Sequence, residues 1–144
     1  MEWCKEPYEI STDIKRLDIG TIHRFLSSES YWARGRSIDI VHRSIEQSLC
    51  FGVYLQDTQV GFARIVTDYS TFAWLCDVFI LEKHRGKGLG KWLIECVTNY
   101  EALVDLRLWI LATKDAHGLY QRYGGFNIIE NQQKLMIRWK SEEN

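Results

Sequence analysis

The sequence predicts an α/β protein: a mixed, mostly antiparallel sheet flanked by helices, in one domain spanning residues 1–144. Three observations predict it. Two stretches with apolar residues at helical spacing come early in the chain. Three strand-like segments then follow one another with no helix between them, which makes an antiparallel meander rather than a βαβ unit. The third of these runs through a glycine cluster straight into an amphipathic helix.

The bulk properties fit such a domain. A chain of 144 residues buries roughly two-thirds of the surface its unfolded form exposes. With 46% hydrophobic and 26% charged residues, it has the composition of an ordinary globular protein. A net charge of -1, with acids and bases interspersed, gives no pull toward phosphate backbones or anionic lipid, so neither nucleic acid nor membrane is expected as a partner. The segment from Met1 to Pro7 is not an apolar leader, and no run approaches the ~18 apolar residues of a bilayer span; a soluble, cytoplasmic protein is expected. Cys4, Cys50, Cys76 and Cys96 show no CxxC spacing and no Cys/His cluster. They read as reduced thiols, the last three as small hydrophobes in apolar segments, and no metal is expected.

Taken in order, residues 8–11 suit a short strand. Leu17, Ile19, Ile22, Phe25 and Leu26 recur at helical spacing after Thr12-Asp13. Ser37 offers an N-cap to a second helix, with Asp39 in its first turn and Ile38, Val41 and Ile45 on one face. Leu49 to Leu55 and residues 60–67, joined by Gln56-Asp57-Thr58-Gln59, predict a hairpin, and the longer apolar run 71–81 a central strand. Leu89, Trp92, Leu93, Cys96, Val97 and Tyr100 share one face of a third helix. Residues 106–112 predict a strand, 115–123 a short helix stopped by Gly124-Gly125, and 126–129 and 134–139 closing strands.

The chemistry concentrates at Arg85-Gly86-Lys87-Gly88-Leu89-Gly90. Glycines where a strand feeds a helix let backbone N–H groups approach an anion closely, and the helix N-terminus adds about half a positive charge. Arg85, Lys87 and Lys91 add cations that suit a diphosphate. A Walker A loop fails because no Ser or Thr follows a suitable Gly-Lys. A dinucleotide fingerprint fails because position 91 is lysine and a meander precedes it.

The six residues do match [Q/R]-x-x-G-x-[G/A], the pyrophosphate-binding signature of GNAT acetyltransferases. Asp115-Ala116-His117-Gly118-Leu119-Tyr120-Gln121-Arg122-Tyr123-Gly124-Gly125-Phe126 resembles that family's second motif, A-x-x-L-Y-x-K-x-G-F. The resemblance covers about residues 49–139. It implies the GNAT acyl-CoA N-acyltransferase fold, a mixed sheet that splays after its fourth strand to admit the pantetheine arm of acetyl-CoA. Val78, Phe79 and Ile80 would pair with the pantetheine amides, and Gly86, Lys87, Gly88, Leu89, Gly90 and Lys91, with Arg85, would hold the pyrophosphate. Tyr120 matches the family tyrosine that faces the CoA sulfur and could protonate the departing thiolate. Three positions depart from the pattern: Thr113 for a frequent asparagine, Glu82 for a frequent proline, and one extra glycine at Gly124-Gly125.

The activity the resemblance implies is transfer of an acetyl group from acetyl-CoA to a primary amine of a small molecule, without an acyl-enzyme or metal. The alternatives are a protein lysine or N-terminus as the acceptor, and a CoA-binding regulatory module without chemistry. A primary amine is mostly protonated at pH 7, so a base or a water relay is required. Asp77 is the first candidate, with Asp68, Glu82 and His117 as rivals. In the family the first helix pair forms one wall of the acceptor cleft, which places Tyr31, Trp32, Arg34 and Arg36 there. Such a wall would suit a small amine that also carries a carboxylate or phosphate. The resemblance also admits a homodimer.

Overall fold

Alternating burial along the meander decides where its strands sit. In the computed structural model, which describes residues 1–141, six strands form one sheet in sequence order: β1 (Glu2–Lys5), β2 (Tyr8–Ser11), β3 (Leu49–Leu55), β4 (Thr58–Thr67), β5 (Phe72–Ile80) and β6 (Leu108–Ile110). The last three residues of the expected 1–144 domain lie outside the described residues. Neighbours from β1 to β5 are antiparallel, and β6 joins β5 in parallel. The expected fold class, a mixed sheet flanked by helices, is what the chain adopts.

Helices α1 (Ile19–Ser28) and α2 (Ile38–Glu46) cover one face. They bury Ile22, Phe25, Leu26, Val41 and Ile45 against Cys50, Phe62 and Phe79. Asp18 accepts from Thr21 N–H to start α1, and Ser37 accepts from Ile40 N–H to start α2, as its sequence predicts. Asp13 instead caps a short 3-10 turn at Ile14–Arg16. Helix α3 (Leu89–Thr98) packs Leu93, Ile94 and Val97 against Phe51, Val53, Ile65 and Leu75 on the other face, and α4 (His117–Gly124) lies beside it.

A bulge in β5 positions the site. Phe62 faces Phe79 and Arg64 faces Cys76, so Ala63 alone opposes Asp77 and Val78. Asp77 takes the left-handed conformation, φ 53°, which aspartate tolerates better than most residues. The extra residue flips the strand's parity. Ala73 and Leu75 point to the α3 face, whereas Phe79 points to the α1 face and stacks on Phe25 at 4.0 Å, 13° from parallel.

Three expectations are corrected. The N-terminal segment forms β1, whose Trp3 stacks on Phe51 at 5.5 Å; four residues with one inward aromatic are too short for a period to show. With β1 added, the strand after which the sheet was expected to splay is the fifth in order rather than the fourth. The hairpin turn is only Gln56-Asp57, with Gln56 at φ 54° and β4 starting at Thr58. Residues 126–129 and 134–139 form no strands: a 3-10 turn occupies Gln132–Lys134, and Met136 and Trp139 are 92% and 83% exposed. Their alternation suits a strand, but a strand needs an edge to pair with, and the nearby β6 is three residues long.

Candidate active site

The opening is made by what β5 lacks. Its pairing with β6 stops at Trp74 opposite Ile110. Beyond that point β5 is held on its other side by β4, with Gly61 opposite Ile80. Two lobes of one cleft meet at this free edge, of about 580 and 670 Å³, a size that accommodates small organic ligands. Tyr31, Trp32, Val78, Asp115, Ala116 and Tyr120 line both.

The first lobe is walled by Val78, Phe79, Ile80 and the glycine loop. Gly86 and Gly88 both sit at φ 78°, where glycine is favoured, and Gly88 is the N-cap residue of α3. Among the described residues, the amide N–H groups of residues 86–91 have no acceptor. The first to be paired is that of Trp92, with the Gly88 carbonyl. A Cβ at Gly86 or Gly88 would meet nothing within 4 Å, and one at Gly90 only Leu119 at 3.9 Å. Bare backbone thus faces an open cradle, which fits a diphosphate. Of the cationic side chains, Arg85 and Lys91 line this lobe and Lys87 does not. Arg85 Nε donates to the Ile80 carbonyl at 2.8 Å, Lys87 reaches back to the Tyr8 hydroxyl at 3.4 Å outside the lobe lining, and Lys91 lies over the Tyr123 ring.

Tyr120 stands where the lobes join. Burial pushes its phenol up to about 12, with the nearby Tyr31 and Asp115 acting in the same direction. It is therefore a neutral O–H donor throughout the neutral range.

Asp77 sits beneath the second lobe, its side chain 2% exposed. Oδ1 accepts from Trp32 Nε1 at 2.9 Å; Oδ2 accepts from Arg36 at 2.9 Å and Arg64 at 2.8 Å. Both oxygens are engaged, so the geometry suits an anchor for Trp32 and the bulge better than a proton acceptor. The rivals fare no better. Asp68 is held well below the usual carboxylate range by hydrogen bonds from the Thr71 hydroxyl and N–H and the Ser70 N–H, in a turn away from the cleft. Glu82 and His117 line neither lobe. Asp115, exposed and without an ion pair or side-chain hydrogen bond among the described residues, faces both lobes.

Tyr31 and Trp32 line both lobes, and the Tyr31 hydroxyl accepts from Lys114 N–H at 2.8 Å. Arg34 is exposed and lines neither lobe, because buried Ala33 and the turn at Gly35, φ 76°, send the neighbouring side chain outward. Arg36 takes the inward place. Sequence reading missed Arg64 and Trp74, although a lone arginine within the apolar run Val60–Val66 was a usable signal. Cys76 lines the second lobe, yet burial pushes its thiol up to about 12, which disfavours a thiolate nucleophile. Among the described residues no group of His, Cys, Asp and Glu could hold a metal, and no helix is long and apolar enough to cross a membrane.

Comparison with known proteins gives the site a context. The acetyltransferase (GNAT) domain family matches residues 46–124. A protein of Gibberella zeae described as a candidate acetyltransferase, FG08082, is 30% identical over 138 residues, 82% of this chain and 78% of that one. The crystal structure of a candidate GNAT-family acetyltransferase from Xanthomonas campestris pv. campestris is 48% identical and superposes with a TM-score of 0.88 over 92% of this chain and 93% of that one. A predicted acetyltransferase from Clostridium acetobutylicum, whose structure is with acetyl-CoA, shares the fold at 13% identity, TM-score 0.66, over 96% of each chain.

Proposed function

The chain belongs to the GNAT acetyltransferase family, and from that premise we propose that it moves an acetyl group from acetyl-CoA to the amine of a small molecule, in one step within a ternary complex. The observation that carries this reading is the run of unpaired amides at residues 86–91, which faces a lobe that joins the acceptor lobe at Tyr120. Those amides hold the pyrophosphate. The free edge of β5 at Val78, Phe79 and Ile80 offers main-chain groups to the pantetheine amides, bringing the thioester to the junction. Bound acetyl-CoA supplies an activated acetyl carbon.

The residues of the chain do the rest. Tyr31 and Trp32 hold the acceptor so that its nitrogen meets the acetyl carbon. Asp115, directly or through one water, takes the proton that keeps the amine from attacking. As the C–N bond forms and the C–S bond breaks, the Tyr120 hydroxyl gives its proton to the departing sulfur. Tyr120 then recovers a proton through Asp115 and solvent. The balance is one amide formed, one thioester broken, and two protons lost from the ammonium nitrogen, one replacing by way of Tyr120 the proton given to sulfur and one released through Asp115 to solvent.

Calorimetric titration with acetyl-CoA, followed by thiol release across an amine panel, tests the reading. Saturable binding with turnover of at least one small amine is expected. Absence of binding would overturn the cradle, and binding without turnover of any amine would leave a CoA-binding module.

A further inference from the structure

The floor of the acceptor lobe carries more positive charge than it neutralises. Arg36 and Arg64 share the single carboxylate of Asp77, and Arg64 also donates to Ser48 Oγ at 3.1 Å. Among the described residues, Arg36 Nε and Nη2 and Arg64 Nη2 have no acceptor. Both guanidinium groups line the lobe and are mostly shielded, with 22% and 14% of their side chains exposed. Lys114 and Asp115, at the rim, offset each other. One positive charge therefore remains, and among the described residues its free donors open onto the lobe rather than onto an acceptor inside the protein.

Around it the lobe is aromatic: Tyr31, Trp32, Trp74, Tyr120 and Trp139 all contribute. Flat apolar walls hold an apolar or aromatic body, and the unneutralised charge needs a single anion. A guanidinium with free Nε and Nη2 donors presents the two-pronged pattern that a carboxylate accepts.

We infer that the acceptor is an amino acid or close analogue: an amine that carries a carboxylate bound at Arg36 and Arg64 and an apolar or aromatic body packed between Trp32 and Trp74. This rests on the transferase reading above and narrows it. The amine then lies at the Tyr120 end, where the two lobes join, and the carboxylate at the arginine end. Asp77 fixes both arginines and Trp32, so one buried carboxylate sets the position of the whole lobe.

Matched substrate pairs test it. L-phenylalanine and phenethylamine, and L-tryptophan and tryptamine, differ only in the carboxylate, and thiol release with acetyl-CoA gives kcat/KM for each. A charge-assisted hydrogen-bond pair predicts a preference for the carboxylated member of about 10- to 100-fold. Arg36→Met should bring that ratio close to one, with acetyl-CoA affinity measured alongside as the check on folding. Equal turnover within both pairs, or a ratio that survives in Arg36→Met, overturns the inference while the transferase reading stands. Binding of acetyl-CoA with no turnover of any amine overturns both. The wild-type ratio needs no variant, so an unstable Arg36→Met leaves the test intact.

Discussion

The indole N–H of Trp32 donates to Oδ1 of Asp77 across 2.9 Å, joining the loop between the first two helices to the bulge of the central strand, 45 residues away in sequence. Through this bond the acceptor wall and the strand edge become one unit. Asp77→Ala would leave two guanidinium groups shielded without their carboxylate. Removing one partner of a buried ion pair costs about 3–5 kcal/mol, so a drop in Tm of about 10 °C is expected by thermal unfolding, with acceptor turnover lost as well. Asp77→Asn separates anchor from base. If Asp77 were the proton acceptor, stability would be retained and activity would return at high pH; an anchoring role predicts neither.

Tyr120→Phe removes one oxygen at the junction of the lobes. Acetyl-CoA affinity should stay within about twofold, while kcat falls by about 10²-fold, the range for loss of a general acid. The pH sign is fixed by burial, which pushes the phenol up to about 12. The donating form is the protonated one, present at every pH below that value, so wild-type kcat should show no loss attributable to Tyr120 up to about pH 10. An alkaline limb near pH 8 that disappears in Tyr120→Phe would contradict this placement.

What could be read from the sequence divides along physical lines. Helices with three or more inward residues, such as Ile22, Phe25 and Leu26 of α1, announce themselves because burial at 3.6-residue spacing is repeated. The glycine loop is equally legible, since its positive φ values and its bare amides follow from main chain and from the absence of side chains. The bulge at Asp77 was hidden, because an aspartate in the left-handed conformation looks like any strand-end carboxylate. The pairing of Arg36 and Arg64 with one carboxylate, and the outward turn of Arg34, depend on contacts between distant segments. Residues 134–139 misled for the opposite reason: alternation predicts a strand only where an edge is available to receive it.

Gly90 offers a way to separate folding from cofactor binding. It is the second residue of α3, and an added Cβ would meet only Leu119 at the ordinary distance of 3.9 Å. Gly90→Ala should therefore leave stability unchanged or raise it by up to about 1 kcal/mol, since alanine is the better helix former. On the proposed reading the methyl group would crowd the approach of a diphosphate to the amides, so acetyl-CoA affinity should fall at least about tenfold by calorimetry. Gly88→Glu, which adds a strained φ and a negative charge, should abolish binding. Unchanged affinity in both variants would remove the loop from the cofactor site.

Asp115→Asn tests where the amine loses its proton. A primary amine with a pKa near 10.4 is neutral in only about one molecule in 2,500 at pH 7, so an acceptor that must shed its proton before attack is limited by that fraction unless the protein relieves it. With Asp115 in place, the proton has a carboxylate to go to, facing both lobes and, among the described residues, without an ion pair or side-chain hydrogen bond. In the asparagine variant the shape of the junction is kept and only this acceptor is lost. At pH 7 kcat/KM should drop by at least about tenfold, then climb by about tenfold per pH unit toward the pKa of the amine, where wild type and variant converge. Acetyl-CoA binding should be the same in both. A variant whose pH profile runs parallel to wild type at every pH would show that Asp115 shapes the rim and leaves the proton to another group.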